Sequence, residues 1–108
     1  MSLAEERCTQ PKTGDKPLPE SDARTLAQQV PGWALKDKAI EREYKFKDFR
    51  QAMAFVNRVA EIAHVQDHHP DIFVSYNRVR LTLSTHKIGG LSRNDFIVAA
   101  RIDGIINA

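Results

Sequence analysis

The sequence predicts an α+β fold: a four-stranded antiparallel sheet with three helices packed on one face, in the order α-β-β-α-β-β-α. Three observations carry this. Ile40, Arg42, Tyr44 and Phe46 alternate with Glu41, Glu43, Lys45 and Lys47, the period of a strand with one buried and one solvated face. Two further strand-like runs, Ile72 to Ser75 and Arg78 to Thr85, are separated only by Tyr76-Asn77, as in a tight hairpin. Apolar residues recur at helical spacing before, between and after these runs. Hairpin connections favour antiparallel pairing, which leaves the helices to cover one face.

Each element has its own signal. Residues 1–17 mix Pro11, Lys12, Gly14, Asp15 and Lys16 with few apolar groups, so they read as a mobile N-terminal tail, with a single domain over 18–108. The first helix begins near Ser21 as N-cap, carries Ala23, Leu26, Ala27 and Val30 inward, and ends at Pro31-Gly32. Trp33 and Leu35 form a short strand, Lys36-Asp37-Lys38 a polar turn, and the alternating run follows. Asp48 caps the second helix, with Gln51 in the capping-box position. Its stripe is Phe49, Ala52, Met53, Val56, Val59, Ala60 and Ala63, and it continues through His64 to His68, stopping at Pro70. Proline forces His69 into an extended conformation. In the last strand Val79, Leu81, Leu83 and Thr85 share one face; Arg78, Arg80, Thr82, Ser84 and His86 share the other. A Gly89-Gly90 loop precedes the third helix, capped by Ser92 with Asp95 at the reciprocal position. Apolar groups run well round that helix, through Ile97, Val98, Ile102 and Ile105, which predicts a second buried surface such as a subunit interface.

Composition narrows the function. A chain of 108 residues forms a modest core, so oligomerisation would help to stabilise it. Sixteen basic residues face fourteen acidic ones, a balance that argues against direct nucleic-acid binding. No apolar run reaches membrane-spanning length, and the N-terminus lacks a signal pattern. Cys8 is the single cysteine, so no internal disulfide forms and a cytoplasmic setting is expected.

All four histidines fall between His64 and His86. Imidazole moves protons in both directions near neutrality, so this cluster is the candidate acid/base site. His64 and His68 are spaced to share a helix face, His68 falls in the last turn, and His69 diverges at the proline. If the strand end bearing Ser84, Thr85 and His86 folds beside that helix end, three imidazoles and two hydroxyls line one pocket. Each residue also has a plainer reading. His68 would cap a helix, His69 would be a polar turn residue, His86 would be solvated, and Asp95 would serve only the capping box. His64-Val65-Gln66-Asp67-His68 has the histidine spacing of a zinc-protease helix but lacks the glutamate that serves as base, so no metal is expected. Gly89-Gly90 lacks phosphate-loop spacing, and no serine sits in a nucleophile elbow.

These residues also form a recognisable series. Asp67-His68-His69-Pro70, Tyr76-Asn77, Leu81-Thr82-Leu83-Ser84-Thr85-His86, Gly90-Leu91-Ser92 and Asp95 together resemble the signature of pterin-4a-carbinolamine dehydratases. Gly32-Trp33, Phe46-Lys47-Asp48-Phe49 and Phe55 through Ala60 add to the likeness, which covers most of the folded chain. The resemblance implies a hydro-lyase without cofactor that dehydrates 4a-hydroxytetrahydrobiopterin to the quinonoid dihydropterin, in tetrahydrobiopterin recycling. It implies that His68 and His86 act as acid and base and that His69 orients the pterin. Asp67, Ser84 and Thr85 match positions lining the substrate pocket, with His64 and Asp95 in support. Many relatives carry glutamate at the position of His64, and several carry tryptophan at that of Ile72 and glutamate at that of Lys87. A homodimer or homotetramer is implied. Two other roles go with the family: dimerisation cofactor for a transcriptional regulator, and a pterin-related role in molybdenum-cofactor metabolism.

Overall fold

The computed structural model describes residues 2–107, with the side chain of Asn107 left out. Four strands form one antiparallel sheet in the order β1-β2-β4-β3: β1 Ala34–Leu35, β2 Ile40–Lys45, β3 Asp71–Ser75 and β4 Arg78–Leu83. Three helices, α1 Glu20–Ala27, α2 Phe49–Gln66 and α3 Arg93–Asn107, complete the expected order.

The strand alternation does what its period requires. Ile40 pairs with Leu83, Arg42 with Leu81 and Tyr44 with Val79 across β2 and β4. Ile40, Val79, Leu81 and Leu83 are fully buried beneath the helices. The opposite face is polar, and there the Arg80 guanidinium lies 4.6 Å from the Phe73 ring centroid. Arg42 shares the core face by placing its Nη1 2.9 Å from Asp103 Oδ1 of α3. The Trp33 indole N–H donates to the same oxygen at 2.9 Å. In the hairpin the left-handed residue is Tyr76, at φ 52°, while the Asn77 side chain donates to the Phe46 carbonyl and ties the turn to β2.

Several boundaries differ from the sequence reading. The first helix starts at Glu20 after Pro19, because proline's fixed φ suits a helix entrance as well as Ser21 would. Its α-helical part stops at Ala27, and i to i+3 bonds carry the chain on to the buried Val30. The buried stripe of α2 is Ala52, Phe55, Val59, Ala63 and Gln66, whereas Phe49 and Ala60 face outward. Asp48 caps α2 by accepting the Gln51 N–H, but the Gln51 side chain accepts from Lys47 N instead of closing the box on Asp48.

The largest departure is at the N-terminus. The stretch read as a tail has specific partners from Ser2 onward, Met1 lying outside the described residues. Residues Leu3–Glu5 form a 3-10 turn against α3, where Leu3 is only 2% exposed. Glu6 forms a two-bond ion pair with Arg93, and its carbonyl accepts from Arg101. This segment packs against α3, with Leu3 in the core beside that helix. A few apolar anchors suffice for docking onto a preformed helix, which average composition does not reveal.

Candidate active site

Helix α2 ends in a local motif that positions His68. Asp67 takes a left-handed conformation, φ 53° and ψ 42°, which aspartate tolerates better than most residues. The Asp67 N–H then donates to the His64 carbonyl and the His68 N–H to the Ala63 carbonyl, the paired bonds that close many helix C-termini. His68 therefore lies beyond the helix, not in its last turn, and no longer shares a helical face with His64. His64 and Asp67 are exposed, as is His69, held off the helix by Pro70.

Turned inward, the His68 ring meets α3. Its Nε2 lies 2.6 Å from Asp95 Oδ1, with the histidine side chain 10% exposed and the aspartate wholly buried. The other carboxylate oxygen accepts from Thr85 Oγ1 and from the Ser92 N–H, both at 2.9 Å. The Thr85 hydroxyl has one proton, given to Asp95, so the Ser92 hydroxyl 2.7 Å away donates to Thr85. Asp95 thus accepts the Ser92 N–H, one half of the expected capping box, while the Ser92 hydroxyl turns to Thr85 and the Asp95 N–H donates to the Ser92 carbonyl; the same carboxylate also holds His68. An ionised Asp95 accepts at every contact, which assigns the proton of the pair to His68 Nε2 and, in the neutral ring, leaves Nδ1 as the acceptor.

Strand β4 ends at Leu83, Ser84 and Thr85 follow, and His86 begins a short 3-10 turn, His86–Ile88. Thr85 fixes that start by backbone pairing with Gly90. His86 lines a cleft of about 320 Å³ with Asp71, Thr82 and Ser84, a volume in the range of small-ligand sites. The Ser84 hydroxyl donates to the Lys38 carbonyl at 2.7 Å, which fixes the polar turn against this cleft. Thr85 is 3% exposed and turns inward to Asp95, away from the open cleft. The structure therefore joins His68, Asp95, Thr85 and Ser92 in one hydrogen-bonded chain that leads to the backbone of His86. Among the described residues no hydrogen bond joins the imidazoles to one another. A larger groove, about 480 Å³, lies between Leu18, Arg24, Leu35 and Leu91. It carries no histidine, and of the four histidines His86 alone is among the residues lining the smaller cleft, which His68 and His69 do not line. Among the described residues no group of three or more His, Cys, Asp or Glu side chains is arranged to hold a metal ion.

Sequence reasoning missed Ser92 as a partner of Thr85, and Gln66 and Asn94, buried polar residues two positions before His68 and one before Asp95. Their only sequence signal was a polar residue at a core-facing helical position, which is weak for a single amide.

Comparison with known proteins agrees with this geometry. The family model for pterin 4 alpha carbinolamine dehydratase matches residues 16–105. A protein of Nitrosomonas eutropha, provisionally named for that activity, is 47% identical over 105 residues, spanning 96% of this chain and 93% of its own. A second, from Nitrosospira multiformis and named alike, is 48% identical over 101 residues, spanning 94% and 89%. The crystal structure of a Brucella melitensis protein, described as a transcriptional coactivator/pterin dehydratase, superposes with a TM-score of 0.79 at 38% identity, over 83% of this chain and 98% of that one. The chain belongs to the pterin 4 alpha carbinolamine dehydratase family, and the enzyme type that goes with it is a hydro-lyase.

Proposed function

We propose that the protein dehydrates 4a-hydroxytetrahydrobiopterin to the quinonoid dihydropterin, as a step of tetrahydrobiopterin recycling in the cytoplasm, by acid/base catalysis with His68 and His86. The observation that carries this reading is the buried 2.6 Å contact between His68 Nε2 and Asp95. A carboxylate that fixes one ring nitrogen as the donor leaves the other as a positioned acceptor, the logic of a histidine oriented by a buried acid. His68 Nδ1 then takes the proton from the ring nitrogen beside C4a. The electron pair of that N–H bond forms the C=N bond, the C4a–O bond breaks, and His86 gives the hydroxyl the proton with which it leaves as water. The step is redox-neutral, and the two imidazoles return to their starting states by exchanging one proton with solvent. His69, exposed beside the same chain turn, orients the pterin, and Asp67 and Ser84 with the buried Thr85 shape its surroundings.

A homo-oligomer is part of this reading. Strand β3 is a sheet edge, and its Ile72 and Phe73 are 39% and 51% exposed, an apolar edge that a second copy would cover. Size-exclusion chromatography with light scattering gives the subunit number.

The test is a stopped-flow assay with chemically generated 4a-hydroxytetrahydropterin. His68→Ala and His86→Ala are each expected to lower kcat about a hundred-fold or more. Wild type no faster than buffer refutes the proposal. The Brucella relative's description favours one second reading, a protein-binding role in transcription. In that case His68→Ala abolishes dehydration and leaves partner binding intact.

A further inference from the structure

Three consecutive residues of the N-terminal segment bridge the two helix ends that carry His68 and Asp95. The Cys8 N–H donates to Gln66 Oε1 at 2.9 Å, Gln66 being the last residue of α2. Thr9 is gripped on both sides by Asn94, its N–H donating to Oδ1 at 3.0 Å and its carbonyl accepting from Nδ2 at 2.6 Å. The Gln10 side chain donates to Asp67 Oδ2 at 3.0 Å, on the left-handed residue just before His68. Gln66 and Asn94 are 8% and 6% exposed. Buried amides that lose these partners would be left unsatisfied, so the bridge is favoured whenever the core is closed.

Each of these contacts lands one or two residues from a member of the His68–Asp95 pair. Helices α2 and α3 otherwise meet through apolar side chains, whose attraction is non-directional. Hydrogen bonds are directional and fix a register that apolar packing tolerates sliding. The His68 contact spans two different elements and needs that register. None of residues 8–10 lines the cleft holding His86 and Ser84.

We infer that Cys8-Thr9-Gln10 is a clamp across the ends of α2 and α3, and that Asn94, Gln66 and Gln10 are positioning residues for the catalytic histidine. The inference rests on the proposed role of His68. It assigns the N-terminal segment to the reaction without contact with substrate.

The test uses the full chain with Asn94→Ala and, separately, Gln10→Ala. Three readouts are taken at a temperature where each variant is folded: kcat and KM, the labelling rate of Cys8 by a thiol reagent, and the 15N resonance of His68 Nε2. Asn94→Ala is expected to label Cys8 about ten-fold faster, to shift the His68 Nε2 resonance, and to lower kcat about ten- to a hundred-fold with KM within about two-fold. Gln10→Ala, on the exposed side, is expected to act in the same direction by about three-fold in kcat and tests the clamp if Asn94→Ala fails to fold. Faster Cys8 labelling with an unchanged His68 resonance and unchanged kcat overturns the clamp. A His68→Ala variant with full turnover instead overturns the proposed function, and the His68 resonance in Asn94→Ala still decides the clamp.

Discussion

Replacing Asp95 by asparagine keeps the shape of a wholly buried side chain and removes its charge. The carboxylate accepts from three donors: His68 Nε2, Thr85 Oγ1 and the Ser92 N–H. An amide has one oxygen. The Ser92 N–H is a backbone donor that cannot reverse, so the asparagine oxygen stays on that side and its NH2 faces His68. His68 Nε2 must then accept, and the proton moves to Nδ1, the atom proposed as base. The fold survives, because two of the three bonds persist. Charge-assisted bonds become neutral at a cost of about 1–2 kcal/mol, or roughly 5–10 °C in Tm for a domain of this size. Losing a positioned base lowers kcat by about 10²–10⁴. Stopped-flow turnover gives the rate, calorimetry the stability, and 15N spectroscopy the tautomer. A folded Asp95→Asn protein with kcat within about three-fold of wild type, or with Nε2 still protonated, would refute the reasoning.

Three further outcomes are expected. Leu3→Ala should destabilise the protein by about 2–3 kcal/mol, as for other buried leucines; a change near zero in chemical denaturation would mean that the N-terminal segment is not docked. Gly32→Ala would place a Cβ 2.5 Å from Arg42 Nη1 and 2.6 Å from Cζ. The guanidinium must swing away from Asp103, so thermal unfolding should register a loss of about 1 kcal/mol, with turnover unchanged. Burial pushes the Cys8 thiol up from 9.0 to about 11, so its alkylation at pH 8 should be roughly a hundred-fold slower than that of an ordinary thiol. The linked stability is constant below the ordinary thiol range and falls as pH rises toward the folded value, because the unfolded chain ionises first.

The sheet and helices were legible because their signals are local. Val79, Leu81 and Leu83 alternate with arginines and a threonine, and no neighbour is needed to read that period. At the candidate site the residue types were readable: His68 and His86 were singled out for proton transfer, and Asp95 chiefly as a helix cap. What escaped was pairing across distance. In the sequence Asp95 fits a capping pattern, which concealed that its other oxygen serves His68. The end of α2 was placed too late, because Pro70 is a visible stop signal whereas a left-handed Asp67 leaves no mark in composition. The N-terminal segment looked disordered for a similar reason: its anchors, Leu3 and Glu6, are sparse, and their partners Arg93 and Arg101 lie at the far end of the sequence.

Trp33 is the sole tryptophan, only 4% exposed, and its indole N–H is fixed to Asp103. That aspartate lies eight positions along α3 from Asp95, about 12 Å along the axis. Intrinsic fluorescence will accordingly monitor the joint between the start of the sheet and the second half of the last helix. Ligand titrations that watch only this fluorophore will find it largely indifferent to events around the imidazoles, while denaturation curves recorded with it will register the collapse of the whole core.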